Sequence, residues 1–295
     1  MALSKFLDPK LDLTFKKIFG TEKNKNILIH FLNDILGFTG VNTIQDVKFL
    51  STIMNPEIAS DKQSIVDVLC KDSYGNRYIA EMQLARDKGF EKRAQLYAAK
   101  AYSRQSGNYI DFKKVFFIAI SNSTLFPTEV EYISTHNIRE IKTNGHYLKD
   151  FQFVFIELPK FTKNRVEQLE NTVERWCFFF RYAEDTTDED LRKIAEKSPI
   201  IKLAYDELDK FHWNEKDLMA YEERIMNLQK EEAILEYRLD LAKDEGIQIG
   251  HEKGREEGEK EAKIAVAKNL LKAGVSIDII AQTTGLTVDE VKDLS

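Results

Sequence analysis

Two carboxylates interrupt segments otherwise suited to burial: Asp67 in IVDVLC, residues 65–70, and Glu81 in YIAEMQL, residues 78–84. An unpaired ion among apolar side chains costs several kcal/mol, so each calls for a cation or a proton. Between them, DSYGN at 72–76 is a turn string, and a hairpin centred on Tyr74 pairs residues whose numbers sum to 148. That register sets Asp67 opposite Glu81, Val66 opposite Met82, Val68 opposite Ala80 and Leu69 opposite Ile79, apolar against apolar. Directly opposed residues share a face, so the carboxylates converge, and Gln83 lies on the same face. Converging carboxylates repel, and one takes up a proton unless a cation sits between them. A hard divalent ion held by two carboxylates, waters and a substrate phosphate is the usual Mg²⁺ arrangement. It would polarise a phosphoryl oxygen and activate water near neutral pH, so the spacing describes a phosphodiester-cleaving site. Two alternatives stay open here: a surface hairpin whose charges face water, and a core pair bridged by a lysine.

The flanking segments supply the scaffold. DLTFKKIF at 12–19 and NILIHFLNDIL at 26–36 have helical apolar spacing, the second ended by Gly37. Strands are expected around 46–51, at 63–71 and at 77–84, with a polar loop containing Pro56 before the hairpin. FEKRAQLYAAKAYSRQ at 90–105 is helical, and KVFFIAIS at 114–121 and FQFVFIEL at 151–158 are continuous runs that suit strands covered on both faces. Helix, three strands, helix and strand make an α/β domain with a mixed sheet, expected at 1–163. Beyond it no strand is expected: helices at 166–183, 188–197 and 199–211 form a helical subdomain over 164–213.

A long charged helix follows over 214–272. It carries Gly246, Gly250, Gly254 and Gly258 in register, each costing about 1 kcal/mol relative to alanine. Such a row either lets two helices approach closely in a homodimer or marks a flexible linker. The tail, 273–295, places Ala281, Gly285 and Val291 at helix-turn-helix spacing. Its second helix has Asp289, Glu290 and Asp293 against Lys292, a poor complement to phosphate-lined grooves, so it reads as a small cap or interaction module.

The 295 residues suffice for a sizeable core. The net charge of -6 hides an asymmetry: residues 1–163 hold 23 Lys+Arg against 18 Asp+Glu, and the remainder holds 20 against 31. A balance of +5 on the half with the carboxylates is compatible with a polyanionic partner or with ordinary scatter. Cys70 and Cys177 build neither a disulfide framework nor a zinc site, and a reducing compartment fits. MALSKFLDPKLDLTF has no apolar signal core and no window reaches membrane-spanning length, so a soluble, cytoplasmic protein is expected. The five histidines show no metal-ligand pairing, and His30 reads as structural.

The run D-x13-E-x-Q, Asp67, Glu81 and Gln83, resembles the PD-(D/E)xK nuclease superfamily, and more closely its recombination-promoting nuclease and transposase branch. The resemblance extends through DLTFKKIFG at 12–20, FLNDILG at 31–37, IAEMQ at 79–83, KRAQLYAAKAY at 92–102, ELPKF at 157–161, ERWCFFF at 174–180 and the glycine-repeat tail, nearly the whole chain. It implies a restriction-endonuclease-like αβββαβ core and a Mg²⁺-dependent DNA endonuclease linked to DNA mobility, recombination or phage defence, with Mn²⁺ or Ca²⁺ as other ions for the site. Asp67 and Glu81 would be the metal ligands. Gln83 stands where the superfamily usually has lysine; an amide is no general base near pH 7, so it would only orient water or phosphate, with either metal-bound hydroxide as the nucleophile or a nearby Lys or Arg supplying the charge.

Asp12 would be an additional acidic residue reaching the site, or an N-cap of its helix. Arg93 and Tyr97, one turn apart, would contact the scissile strand, or be a solvated arginine and a core tyrosine. Lys16, Lys17 and Lys92 are candidates for phosphate contact, against ordinary solvation. Three functions follow: an endonuclease dimerised through its helical half, a non-catalytic DNA- or protein-binding protein of the same fold, or an interaction protein in which the acidic helical half matters most. An acidic tail could also occupy a basic DNA cleft and restrain the nuclease.

Overall fold

A computed structural model describes residues 4–54, 64–85 and 87–294 of the chain; most of the expected Pro56 loop lies outside the described residues. In chain order the elements are α1 (Asp12–Phe19), α2 (Lys25–Leu36), β1 (Val47–Phe49), β2 (Ile53–Met54), β3 (Ser64–Ile65), β4 (Val68–Asp72), β5 (Arg77–Gln83), α3 (Phe90–Ser103), β6 (Val115–Ser121), β7 (Ile133–Asn137) and β8 (Phe151–Glu157), then α4 (Thr172–Tyr182), α5 (Asp188–Lys197), α6 (Pro199–Leu208), α7 (Glu215–Lys272), α8 (Ile277–Thr284) and α9 (Val288–Lys292).

Six strands form a mixed sheet in the order β1-β4-β5-β6-β8-β7, and β2 pairs with β3. β5, β6 and β8 are parallel, while β1, β4 and β7 join antiparallel. The expected hairpin register holds: Val68 pairs with Ala80 and Leu69 with Ile79. β6 is buried at every position, as its unbroken apolar run requires in a central strand. β7, ISTHN, was not expected from the sequence. Among the described residues it is an edge strand paired with β8, half-exposed, and so free to be polar.

The expected strand over 63–71 is split. At Val66 and Asp67 the chain leaves the ladder: Val66 N–H donates to the Thr52 carbonyl at 3.1 Å, and pairing with β5 resumes at Val68. α3 enters through Gly89, at φ 92, and packs Ala94, Ala98 and Ala101 against Ile79, Phe117 and Ala119 of the sheet. Small residues on that face bring the helix close, which fixes Arg93 and Tyr97 relative to β5.

The boundary expected at residue 163 is not a boundary of compaction. The chain divides into one compact unit over Met1–Leu218 and a second over Met219–Ser295. Within the first, α4 and α6 return to pack on α1 and α2. Phe19 lies 5.0 Å from Phe31 between ring centroids, Phe31 5.4 Å from Trp176, and Trp176 Nε1 donates to Asp34 Oδ2 at 2.8 Å. ERWCFFF is therefore part of the layer that carries α1. In the second unit, Ala267 of α7, Ile280 of α8, Leu286 and Val291 of α9 form a small core, with Gly285 at φ 73 making the turn between α8 and α9. Cys70 and Cys177 are buried free thiols. Among the described residues no helix is long and apolar enough to cross a membrane.

Candidate active site

Asp67 sits at the break before β4, and Glu81 faces it from the middle of β5. Each carboxylate receives a main-chain N–H from the other strand: Asp67 N–H donates to Glu81 Oε2 at 3.1 Å, and Met82 N–H donates to Asp67 Oδ2 at 2.9 Å. The bonds replace ladder pairing that the break removes, so backbone geometry holds the side chains together. Beside Glu81 on β6 stands Ala119, a small neighbour. Glu81 is 7% exposed.

Burial pushes the Glu81 carboxyl up to about 8, with the neighbouring Asp67 charge adding to the rise against the pull of Arg93 and Lys16. Asp67 is pushed up to about 6, first by burial and then by its hydrogen bond with Asp12, while the Met82 N–H and Lys16 act the other way. Two buried carboxyls raised together form a site short of positive charge.

α1 brings Asp12 and Lys16 to this pair. Lys16 Nζ lies 2.7 Å from Asp12 Oδ1 and 3.4 Å from Asp67 Oδ1. Partial burial opposes the lysine's charge, yet the Asp12 and Asp67 carboxylates outweigh it and hold its pKa above the ordinary value. The N-cap alternative for Asp12 fails: Leu11 occupies that position, without a side-chain cap, and Asp12 is the first helical residue, its carboxylate turned to Lys16 and Asp67.

From α3, Arg93 donates to Gln83 Oε1 and to Asp87, and its guanidinium lies 4.9 Å from the Phe90 ring centroid and 6.0 Å from that of Tyr97. Arg93 Nε is buried and has no hydrogen-bond partner. Gln83 also donates through Nε2 to the Ala85 carbonyl, so its amide is oriented at both ends. Tyr97 is partly buried, and burial raises its hydroxyl pKa, with Arg93 opposing.

Two of the expected lysines are not at the carboxylates. Lys17 points elsewhere on α1: its Nζ lies 3.0 Å from Asp217 Oδ2 and 3.8 Å from the Trp213 ring centroid. Lys92 is exposed on α3, and no hydrogen bond or ion pair joins it to Asp67 or Glu81. Lys100, not among the residues expected from the sequence, continues the Arg93–Tyr97 face by another turn and donates to Ser64 Oγ at 2.8 Å. Its spacing from Arg93 and Tyr97 was the available signal.

As a donor set the site offers hard oxygens. Among the described residues no group of three or more His, Cys, Asp and Glu side chains converges as metal ligands. Two carboxylates alone fit a Mg²⁺ that keeps several waters and takes substrate oxygens, and do not fit a site closed by protein ligands.

The sequence matches the PD-(D/E)XK nuclease family transposase over residues 9–238, most of the chain, and the C-terminal HTH domain of the Rpn/YhgA-like nuclease family over residues 260–295. No curated protein and no solved structure matches it. The second match agrees with the helix-turn-helix shape of α8 and α9, a module type that suggests DNA contact, although α9 carries Asp289 and Glu290 in its first turn. Together the two matches give the chain a nuclease- or transposase-type, DNA-related role. The chain belongs to the PD-(D/E)XK nuclease family of transposases.

Proposed function

We propose that this protein is a divalent-metal-dependent DNA endonuclease, acting in the cytoplasm in DNA recombination, mobility or defence against phage, as a homodimer joined through its C-terminal helical region. The observation that carries the nuclease reading is the buried, reciprocally hydrogen-bonded pair Asp67 and Glu81, whose raised proton affinity marks a place for a cation. Asp67 and Glu81 would hold Mg²⁺, with Mn²⁺ or Ca²⁺ as ions of similar ligand preference. Once bound, the ion would supply Lewis acidity toward the scissile phosphate and lower the pKa of water.

The protein's own groups have separable tasks in this reading. Lys16, already shared between Asp12 and Asp67, supplies positive charge to a site whose usual lysine is replaced by Gln83. Asp12 restrains Lys16 and completes the acidic side of the site. Gln83 exchanges no proton at neutral pH; held by Arg93, it presents its amide to water or phosphate. Arg93, with a buried unpaired N–H, and Tyr97 line the path for the scissile strand, and Lys92 adds a phosphate contact farther out.

The test is cleavage of supercoiled plasmid by wild type, Asp67→Ala and Glu81→Gln with Mg²⁺, Mn²⁺, Ca²⁺ or EDTA. Metal-dependent nicking or linearisation that both substitutions abolish is the expected result. Intact plasmid with every metal, from folded protein, would favour a non-catalytic DNA- or protein-binding role instead.

A further inference from the structure

Along its middle α7 displays an apolar seam that, among the described residues, nothing else in its own unit covers, with Ile225 and Leu228 half-buried and the leucines beyond them exposed. Ile225, Leu228, Leu235, Leu239 and Ala242 recur at the first and fourth positions of successive heptads, interrupted by Glu232. Leu235 and Leu239 are 68% and 69% exposed, an unusual state for leucines in register. A single helix has no reason to keep this spacing, whereas a second helix laid along it would bury every member.

The charges beside the seam select the partner and its direction. If two copies ran parallel in register, Glu231 would face the partner's Glu236, and Arg238 would face the partner's Lys243, both repulsive. If they run antiparallel, with apolar positions opposed so that residue numbers sum to 467, the outcome reverses. Glu231 then meets the partner's Arg238, Arg224 meets the partner's Glu245, and Glu222 meets the partner's Lys243. The same register places Ile225 against the partner's Ala242 and Leu228 against the partner's Leu239, so large residues meet small or equal ones. Arg224 makes a long contact to Glu231 of its own helix, 3.9 Å. Glu232, the lone polar residue in the seam, weakens such a pair while penalising shifted registers.

We infer that α7 forms an antiparallel coiled coil with a second copy of this chain, about a two-fold axis passing between Ala233 and Ile234. This deepens the homodimer proposed above and rests on that reading, not on the nuclease assignment. The glycine row at Gly246–Gly258 lies C-terminal to this seam and is not needed for it.

Light scattering after size exclusion reads the dimer, and disulfide trapping reads its direction; Cys70 and Cys177 are buried and stay out of the reaction. Leu228→Cys and Leu239→Cys chains, separately tagged and co-expressed, are expected to link to each other on mild oxidation. Leu228→Cys alone should stay unlinked, because its two copies are about 16 Å apart along the axis. Arg238→Glu should weaken the dimer about tenfold through lost and reversed pairs, with adding Glu231→Arg restoring it. Self-linking of Leu228→Cys, or a tighter dimer from Arg238→Glu, would overturn the antiparallel arrangement but leave a dimer. A monomeric wild type would overturn both, whereas a dimer that survives Leu235→Asp with Leu239→Asp would overturn the α7 coiled coil alone and place the interface elsewhere.

Discussion

Asp67 and Glu81 are locked by reciprocal bonds in which each carboxylate accepts a main-chain N–H from the opposite strand, at 2.9 and 3.1 Å. The side chains therefore serve two purposes that mutation can separate. As acceptors they close the break between β3 and β4; as charges they oppose each other in a buried setting.

Glu81→Gln keeps an acceptor for the Asp67 N–H and removes the charge. It is expected to raise the metal-free unfolding temperature by about 2–4 °C near pH 8, roughly 1 kcal/mol for a domain this size, and to abolish metal-dependent cleavage. Glu81→Ala removes the acceptor as well and should lower stability by about 1–3 kcal/mol. Thermal unfolding without metal, beside the plasmid assay, distinguishes the two. A Glu81→Gln protein less stable than wild type would show that the charge is compensated in the metal-free fold.

The pH dependence has a definite sign. Both carboxyls bind protons more tightly in the fold than in the unfolded chain, so their stabilising contribution is complete below the unfolded values and lost as pH rises through about 6 for Asp67 and about 8 for Glu81. Metal-free protein should accordingly lose stability between about pH 4 and about pH 8, and Glu81→Gln should flatten the upper part of that slope. A bound cation needs the deprotonated pair, so the increase in unfolding temperature on adding millimolar Mg²⁺ should grow from about pH 6 to pH 9. Equal Mg²⁺ shifts at both ends would separate metal binding from these carboxylates.

The hairpin was legible because two constraints agreed: DSYGN fixed the turn, and only one register opposed apolar to apolar while bringing Asp67 to Glu81. β6 and β8 were legible for a similar reason, since continuous apolar runs leave few places in a fold. β7 was not, because an edge strand has one covered side and ISTHN lacks alternation. The break at Val66 and Asp67 was hidden because its substitute hydrogen bonds run to Thr52 and to the Glu81 and Asp67 side chains instead of along the β5 ladder. The 163 boundary misled because a change from strands to helices looks like a change of domain, whereas Phe19, Phe31, Trp176 and Phe180 interlock across it. Lys16 and Lys17 could not be told apart in the sequence, as a single residue step turns the side chain about 100° around the helix.

Those two lysines give a paired test. Lys16→Ala should cost up to about 1 kcal/mol through loss of its partly exposed ion pairs, weaken DNA binding and lower its salt slope by about one. Lys17→Ala should cost about 1–2 kcal/mol, through loss of the Trp213 contact and the Asp217 pair, with DNA affinity intact in protein that remains folded. Salt-dependent binding to duplex DNA, beside thermal unfolding, reads both quantities. Interchanged phenotypes would move the DNA path to the other side of α1.

The aromatic layer offers the remaining test, because it connects a distant helix to the site. Trp176 on α4 packs against Phe19 and Phe31 and donates to Asp34, and Phe19 shares α1 with Asp12 and Lys16. Trp176→Ala is expected to cost about 3–5 kcal/mol by leaving a cavity, and also to strand the partly buried Asp34 carboxylate without its N–H. Trp176→Phe retains most of the packing and loses only the hydrogen bond, at about 1–2 kcal/mol. If α1 is held by this layer, cleavage measured well below the unfolding temperature should fall further for Trp176→Ala than for Trp176→Phe, while Asp67 and Glu81 remain in place. A folded Trp176→Ala protein with wild-type cleavage would show that α1 is positioned by its ion pairs to Asp67 and Asp217 rather than by the aromatic layer.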